Sequence, residues 1–415
     1  MKRCLAIGAS VLLAASAWAA VEVADGITVS RDAVTHVVTV AYRLTATDGE
    51  TEGIVTADLI ASDGSVIEGA LANAGGDVFR RVRVGEDLAF TWKPDAVRFA
   101  GSFADCSFKL TAWSVSAPPD YLAIDLLAAQ PAAYYANAGQ VPGGVKDRAY
   151  FLDKLLMRKI PAAYVKWHQG KASPEAYTGE QLLRWTTLTE DYYIGVYELT
   201  RGQHLIVQGS KKGSFSTLRN TDSYLEMPFQ GLNVNDFRGS GTAVSPTSWL
   251  GLAAARTGFD LDLPTAAQWE YACRAGTSGA TYGPIADVAV YQSNAPKNAA
   301  GTRIPAHGGT KLPNAWGLYD TLGNIWEMCN DWMDPEAHLD GADATDPTGP
   351  AEYINFNTRS EELGHKVDRG SAGKMWRGGT YDYGSTYVTA TYPYGWAKWG
   401  TASPMQGFRL VCPVK

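Results

Sequence analysis

The hydrophobic pattern of the chain changes near Pro118-Pro119, and this change constrains the possible folds most strongly. Before it, short runs alternate apolar and polar residues, as in VVTVAYRL, where every second side chain is apolar. Ser-Asp-Gly and similar turn signals separate these runs. The pattern predicts a small all-β, immunoglobulin-like sandwich over residues 20–117, followed by a linker over 118–150. We interpret the sandwich as a spacer or oligomerisation module, because none of its motifs suggests catalysis.

The first residues predict export. Lys2 and Arg3 precede an apolar run that ends in small residues, which is typical of a secretory signal peptide over residues 1–19, cleaved near Ala19. This run is too short for a membrane-spanning helix, and no other stretch is apolar enough to span a bilayer. We therefore expect a protein that is secreted or held in the cell envelope, in the periplasm or on the surface.

The composition argues against several classes of function. Acidic residues outnumber basic ones by 43 to 36, without basic runs, so nucleic acid is not an expected partner. The histidines are scattered and no C-x-x-C motif occurs, so local spacing predicts no zinc or iron site. The chain has 13 Trp, 21 Tyr and 43 Gly but only 19% charged residues, which favours short strands and ordered loops over helical bundles.

From about residue 151 the pattern becomes mixed. YYIGVYELTRGQHLIV predicts a strand and then a helix with Thr200 as its N-cap. SPTSWLGLAAARTG predicts a short helix that ends at Gly258. In LPTAAQWEYACRAGT, Thr265 and Gln268 have the spacing of a capping box at the start of another helix. The later residues are rich in glycine and aromatics with little helical period, so we expect long ordered loops.

Several motifs of this second region, in this order, resemble the formylglycine-generating enzyme family, also called sulfatase-modifying factors. They are YYIGVYELT, LPTAAQWEYACRAGT, NAWGLYDTLGNIWEMCNDW, RGGTYDY and GFRL. The resemblance implies that residues 151–415 form an α+β domain with a C-type-lectin-like fold and little regular secondary structure. The N-terminal sandwich lies outside the resemblance.

The resemblance does not extend to the copper-binding residues of the family. Active members oxidise a sulfatase cysteine to formylglycine, with copper held by two cysteines just after an R-G-G-S motif. Residues 377–396 contain no cysteine here, and Tyr381 to Val388 cover the positions concerned. Cu(I) is soft and prefers thiolate ligands, which these residues do not supply. The residue before G-F-R is Gln406 rather than the family's asparagine. Copper is therefore not expected, and whether the protein is an enzyme stays open.

The stretch GLYDTLGNIWEMCNDW matches a family turn that binds calcium through a side chain, two backbone carbonyls and a glutamate. Position by position, the implied ligands are Asp320, the carbonyls of Gly323 and Ile325, and Glu327. Calcium accepts carboxylate and carbonyl oxygens together in flexible geometry. The resemblance thus implies one structural calcium site, and the alternative is a hairpin with two solvated acids. We do not predict the family's second calcium site, because SNAPKNAAGTRIPAHGG has no acid.

Cleavage of a signal peptide would leave four cysteines, Cys106, Cys273, Cys329 and Cys412. Export permits disulfides, and four cysteines allow three complete pairings, among which the sequence does not choose. In the family, the partner of Cys273 would lie near Val388, where this chain has no cysteine. The resemblance therefore leaves Cys273 to pair with Cys329 or Cys412, or to stay reduced.

The C-terminal segment has the composition of a recognition surface, with Tyr and Trp among Ser, Thr, Gly and Ala. In the family this segment lines the pocket for the substrate peptide. The candidate ligand residues are Tyr381, Tyr383, Tyr387, Tyr392, Trp396 and Arg409. About half of the aromatic residues are expected in the core instead. Arg377 and Arg409 could contact an anion, but we favour buried ion pairs that hold loops for both.

Our leading hypothesis is an exported binding protein without oxidase activity, with a peptide or glycan as its ligand. One alternative is a divergent formylglycine-generating oxidase. Another is a variable ligand-binding protein of a diversity-generating retroelement, since the same fold and segment serve there. A third is a structural surface protein that interacts through its sandwich. The sequence specifies neither the ligand nor the oligomeric state.

Overall fold

A computed structural model describes residues 11–13, 20–95, 105–174, 180–208, 222–354, 373–394 and 403–414. The chain divides into two compact units. The first comprises residues 1–123, 132–147 and 414–415, and the second comprises residues 124–131 and 148–413.

The first unit is built from short strands. They are β1 (Val11–Leu13), β2 (Val21–Val23), β3 (Thr28–Arg31), β4 (Val38–Tyr42), β5 (Leu44–Ala46), β6 (Glu52–Ile60), β7 (Gly75–Gly76), β8 (Arg80–Arg83), β9 (Leu88–Trp92) and β10 (Ser107–Ser114). Further along the chain lie β11 (Tyr121–Asp125), β12 (Ala132–Tyr135) and a 3-10 turn, Ala138–Gln140. Residues 118–150, which we predicted to be a linker, therefore contain two strands, and the division between the units falls within them.

Two four-stranded sheets form the core of this unit, in the orders β1-β10-β6-β8 and β3-β4-β9-β7. Phe90 and Trp92 of β9 contact Phe108 of β10 edge to face, with ring centroids 6.0 and 5.8 Å apart. All three side chains are buried. Period-two alternation in β4 and β9 places these apolar residues on one face, so the predicted β-sandwich is confirmed.

The second unit mixes short strands and short helices. The strands are β13 (Lys154–Ile160), β14 (Val165–Gln169), β15 (Arg184–Leu188), β16 (Tyr192–Gly195), β17 (Trp326–Trp332), β18 (Ala344–Thr345), β19 (Lys374–Arg377), β20 (Gln406–Gly407) and β21 (Val411–Pro413). The helices are α1 (Ala149–Leu152), α2 (Arg201–Gln208), α3 (Asp222–Leu225), α4 (Val234–Phe237), α5 (Trp249–Thr257), α6 (Ala266–Arg274) and α7 (Ile285–Val288). This is the expected α+β domain with little regular secondary structure.

Helix ends follow the sequence signals. Gln203 N–H donates to Thr200 Oγ1 at 3.3 Å, and Gly258 adopts the left-handed conformation that ends α5. The capping box of α6 is complete, with Thr265 and Gln268 each accepting from the other's backbone N–H. Within the described residues, no helix is long and apolar enough to cross a bilayer.

β17 is buried on both faces and lies between β19 and β20. Trp326 and Met328 occupy one face, while Glu327 and Cys329 occupy the other, and all four are at most 1% exposed. The sequence of a central strand that is buried on both faces is normally a continuous run of apolar residues. A carboxylate at this position therefore needs a specific partner.

Candidate functional site

The partner of Glu327 is Arg409, and neither side chain has exposed area. Arg409 Nε donates to Glu327 Oε2 at 2.8 Å, and Nη2 donates to Oε1 at 2.6 Å. Trp269 Nε1–H, from α6, also donates to Oε2, at 2.6 Å. The remaining donors of Arg409 reach Gly195 O and Tyr319 O. This bidentate pair joins β17, α6, β16 and the chain before β21 at one point.

Arg409 is therefore a wrong choice as a ligand residue. Its guanidinium is 0% exposed, and all of its nitrogens donate to protein oxygens. The interpretation that we favoured for it, a buried ion pair that holds loops, describes its contacts.

A second buried acid lies beside this pair. Glu198 is 2% exposed, and its carboxylate accepts from the Ile325 N–H at 3.1 Å and from Asn324 Nδ2 at 2.6 Å. Burial, followed by the charges of Asp320 and Glu327, raises the pKa of Glu198 well above its usual value. Sequence reasoning missed Glu198. The available signal was an acid within the apolar run YYIGVYEL.

We call Glu198, Asp320, Glu327 and Arg409 the buried centre. Asp320 is 1% exposed and has a positive φ of 56°, and its Oδ2 accepts from the Gly309 N–H at 2.6 Å. The alternative of a hairpin with two solvated acids is thus wrong, because neither Asp320 nor Glu327 reaches solvent. Three carboxylates surround one guanidinium.

Gly323 is required by two constraints. Its φ is +77°, and a Cβ at this position would lie 2.2 Å from Val290 O. The glycine therefore brings the turn against the neighbouring backbone. A glycine is needed at this position both for its positive φ and because the backbone of Val290 leaves no room for a side chain.

The negative charge of the buried centre suits a calcium ion, but both carboxylate oxygens of Glu327 already accept hydrogen bonds from the protein. The excess of carboxylates over guanidinium favours a cation, because buried charges require compensation. However, Arg409 and Trp269 already donate to both oxygens of Glu327. A cation that binds Glu327 must therefore displace one of these donors. Among the described residues, no group of three or more His, Cys, Asp or Glu side chains is arranged to hold a metal.

The tyrosines of the C-terminal segment surround a buried aromatic base. Trp326, with no exposed area, stacks on Tyr394 with ring centroids 5.1 Å apart. Tyr383 packs edge to face on Tyr394 and on Tyr387, at 5.7 and 5.3 Å. The Tyr383 and Tyr394 hydroxyls lie 3.1 Å apart. Tyr381, Tyr383 and Tyr387 are each partly exposed. We call these three residues the tyrosine surface.

Two other candidates do not belong to this surface. Tyr392 is 6% exposed and packs edge to face against Tyr387 at 5.1 Å, so it is part of the base. Its selection as a ligand residue was wrong, because composition does not separate the exposed rings from the buried ones. Trp396 lies outside the described residues.

Charged groups border the tyrosine surface. Arg303 Nη1 pairs with Asp382 Oδ1 at 2.8 Å. The guanidinium of Arg201, 6% exposed, lies 4.1 Å from the centroid of the Tyr224 ring. Burial and then Asp382 raise the pKa of Tyr381, while Arg201 opposes the shift. The hydroxyl of Tyr381 is therefore a neutral hydrogen-bonding group at physiological pH.

All four cysteines present in the described residues are free thiols. Cys273 and Cys329 belong to one core cluster with Val388. Cys412 Sγ lies 3.9 Å from Met157 Sδ. Burial raises the pKa of Cys273 and of Cys412 to about 12. The thiolate forms that soft metals bind are thus disfavoured at these positions.

Two clefts lie elsewhere in the second unit, away from the buried centre and the tyrosine surface. One, of about 580 Å³, is lined by apolar residues and by several acids, among them Glu190, Asp191, Asp260 and Asp346. We call it the acidic cleft. The other, of about 650 Å³, is lined by polar side chains of β14, β15, β17 and β19. We call the second one the polar cleft.

Comparison with known proteins gives a consistent family match. Residues 165–414, more than half of the chain, match the family described as the sulfatase-modifying factor enzyme 1-like domain. The formylglycine-generating enzyme of Streptomyces coelicolor is 35% identical over 99 residues, which is 21% of this chain and 31% of that enzyme. The corresponding enzyme of Thermomonospora curvata is 33% identical over 127 residues, 25% of this chain and 38% of that enzyme. The matches span well under half of either relative.

Among solved structures, Treponema denticola variable protein 1 is 20% identical, and the match covers 63% of this chain and 95% of that chain with a TM-score of 0.48.

Proposed function

The chain belongs to the sulfatase-modifying factor enzyme 1-like domain family, and on this premise we propose that it is an exported binding protein without oxidase activity. Its ligand, a peptide or a glycan, would contact the tyrosine surface. One observation carries the proposal: partly exposed tyrosines rest on a packed aromatic base that holds them in place. Tyrosine supplies large contact area at low entropic cost when its position is fixed beforehand.

The position of the surface supports the proposal further. Tyr381 to Val388 occupy the places where active members are expected to hold copper thiols, and none of them is cysteine. Val388 itself is 0% exposed and packs in the core cluster around Trp269. The segment thus supplies rings and hydroxyls to a ligand and no thiolate to a metal.

The binding function is tested by first identifying a ligand on peptide and glycan arrays. Affinity is then measured by calorimetry for Tyr383→Ala and Tyr387→Ala. Loss of an aromatic anchor should weaken binding by more than about 1–2 kcal/mol, at least roughly tenfold. The matched control is Tyr164→Ala, because Tyr164 is 78% exposed and lies outside this segment. If both surface variants unfold, or bind as tightly as the wild type, the tyrosine surface is not the binding site.

The competing oxidase function has its own test. The protein is incubated with copper and a sulfatase-motif peptide, and the peptide mass is followed for conversion of cysteine to aldehyde. We expect no turnover above a metal-free control and no stoichiometric Cu(I) binding, because Cys273, Cys329 and Cys412 are buried with raised pKa values. Turnover above the control would end the proposal of a pure binding protein.

We also propose one calcium ion at Asp320, Gly323, Ile325 and Glu327, on the ground of the excess buried carboxylates. Calcium would neutralise charge and fix the turn, which is a structural role. The arrangement of Glu327 and Arg409 implies that calcium and the guanidinium compete for one carboxylate.

Export is proposed from the signal-peptide pattern alone. Cleavage near Ala19 would remove β1, which pairs in parallel with β10. The N-terminal sequence of the protein purified from the culture medium or cell envelope checks this. A mature protein that retains residues 1–19 would contradict it.

A further inference from the structure

The polar cleft contains three buried polar side chains whose hydrogen-bonding capacity is only partly used. Gln169, Asp331 and Arg377 all line it, and they are 3%, 4% and 1% exposed. Buried polar groups are normally satisfied, so each incompletely used group needs an explanation. A volume of about 650 Å³ is within the usual range of small-molecule sites.

Gln169 has a fixed orientation. Its Oε1 accepts from Arg184 Nε and Nη2 at 3.3 and 3.2 Å, and from the Thr186 hydroxyl at 3.0 Å. These donors identify the oxygen, so the Nε2 amide group points the other way. Within the described residues, no hydrogen bond uses that amide group. Gln169 therefore presents a donor for which none of the described residues supplies an acceptor.

Asp331 presents an acceptor. Its Oδ2 accepts from the Ala266 N–H at the start of α6, at 2.7 Å. This is the one side-chain hydrogen bond that Asp331 makes within the described part of the chain. Oδ1 is thus left to accept from a molecule in the cleft.

Arg377 presents further donors. In the described ranges, its guanidinium makes one hydrogen bond, from Nη1 to Thr391 O at 2.6 Å. Glu270 Oε2 lies 3.7 Å away, and no described residue supplies an acceptor for Nε. An arginine can make five such bonds, so most of the capacity of Arg377 is unused.

The combination of these groups selects the chemistry of the ligand. Asp331, together with Asp334, Glu336 and Asp340 in the lining, disfavours an anion. Arg377 and Arg184 disfavour a simple cation. A hydroxyl group both donates and accepts, so a neutral polyhydroxylated molecule can satisfy the amide, the guanidinium and the carboxylate together. Ordered water can do the same, and a ligand that reproduces its hydrogen bonds can displace it.

We propose that the polar cleft is a second binding site, which takes a neutral saccharide unit through Gln169, Asp331 and Arg377. The site is independent of the tyrosine surface, so it extends the proposed function and does not rest on it. The sugar hydroxyls accept from Gln169 Nε2 and from the guanidinium, and they donate to Asp331 Oδ1.

The test uses the full chain and a panel of glucose, galactose, mannose and N-acetylglucosamine. Sodium sulfate and ethylammonium chloride serve as the anionic and cationic probes. Binding is detected by saturation-transfer NMR and quantified by calorimetry at millimolar concentration. We expect at least one saccharide to bind, and neither ion to compete with it.

Two variants locate the binding. Asp331→Asn can keep an oxygen for the Ala266 N–H but changes the group that faces the cleft. Gln169→Glu keeps an acceptor for Arg184 but loses the amide donor. Each should weaken saccharide binding by at least about tenfold, because a buried polar group would lose its partner. The matched control is Asp260→Asn, which makes the same change in the acidic cleft.

Three results would overturn the proposal. The first is that no saccharide of the panel binds, in which case the cleft holds water only. The second is that an ion binds in place of every saccharide. The third is that a saccharide binds both cleft variants as tightly as the wild type; its loss in Tyr387→Ala would then assign it to the tyrosine surface. Thermal melts of each variant verify that it is folded, and the two substitutions must agree.

Discussion

Arg409 and Arg377 are both buried beside β17, yet the two regions around them use their N–H groups differently. Arg409 donates from every nitrogen, to Glu327 and to two backbone carbonyls. Arg377 lies opposite Glu327 in the strand register but donates only to Thr391 O among the described residues. The buried centre is thus a closed network that joins elements, whereas the polar cleft retains capacity for a ligand. The number of unused donors, more than burial or charge, separates a structural arginine from a candidate binding arginine.

The strongest test of this comparison is Arg409→Met. We expect it to lower the free energy of unfolding by about 3–5 kcal/mol, because it leaves Glu327 buried without its charged partner. Urea denaturation measures the change. The double variant Arg409→Met with Glu327→Gln should recover part of the loss, since no unpaired charge remains at that position. A single variant as stable as the wild type would show that Arg409 does not hold the buried centre.

Calcium removal is the next largest effect. A cation that binds only the folded state stabilises it by about 2.7 kcal/mol at a free concentration of a hundred times its Kd. We therefore expect chelation to lower the melting temperature of protein shown by metal analysis to be loaded. Asp320→Ala and Glu327→Ala should abolish this response.

The matched control for calcium is Asp343→Ala, because the Asp343 side chain is 62% exposed and pairs only with Lys166 in the described residues. Its response to chelation should equal that of the wild type. An unchanged melting curve in loaded protein would mean that Arg409 alone compensates the buried carboxylates. In that event the calcium of the loaded protein lies outside the buried centre, and the proposal of a calcium ion at Asp320 and Glu327 fails.

Local features of the fold could be predicted from the sequence. The capping box of Thr265 and Gln268 and the end of α5 at Gly258 depend on residues close together in the chain. The alternation in β4 and β9 predicts one apolar face for the same reason. The family motifs, taken together, also predicted the α+β fold of the second unit.

The candidate sites depend on contacts that the sequence does not encode locally. Glu198 bonds to Asn324 across 126 positions, so the two motifs gave no sign that they meet. Arg377 and Arg409 had the same interpretation from sequence, and only packing shows that one is saturated and the other is not. Tyr392 and Tyr387 likewise differ in exposure and not in type.

The polar cleft should also give a measurable pH dependence. Burial raises the pKa of Asp331 from 3.8 to about 6, with Arg377 and Lys374 opposing the shift. The folded protein then holds this proton at pH values where the unfolded chain has lost it. The contribution of Asp331 to stability is therefore present below about pH 4 and lost as the pH rises through about 6. The slope is at most about 1.4 kcal/mol per pH unit.

Urea denaturation of the wild type and of Asp331→Asn across this pH window measures the effect. The variant should lack the part of the slope that comes from Asp331, so the two curves should converge at low pH and separate as the pH rises. Parallel curves would contradict a raised pKa. A saturating saccharide that donates to Asp331 Oδ1 should change the slope in the wild type alone.

The smallest expected effect is the stability cost of Arg377→Met. The change removes one hydrogen bond, to Thr391 O, and a looser contact with Glu270 at 3.7 Å. Glu270 keeps its partner, because Arg274 Nε donates to it at 2.9 Å. We therefore expect a loss of only about 1–2 kcal/mol, mainly from Thr391 O left without a donor. Saccharide binding should nevertheless be lost, so that one substitution separates binding from folding. A cost equal to that of Arg409→Met, measured in the same urea titration, would make Arg377 a structural arginine and remove the contrast between the two regions.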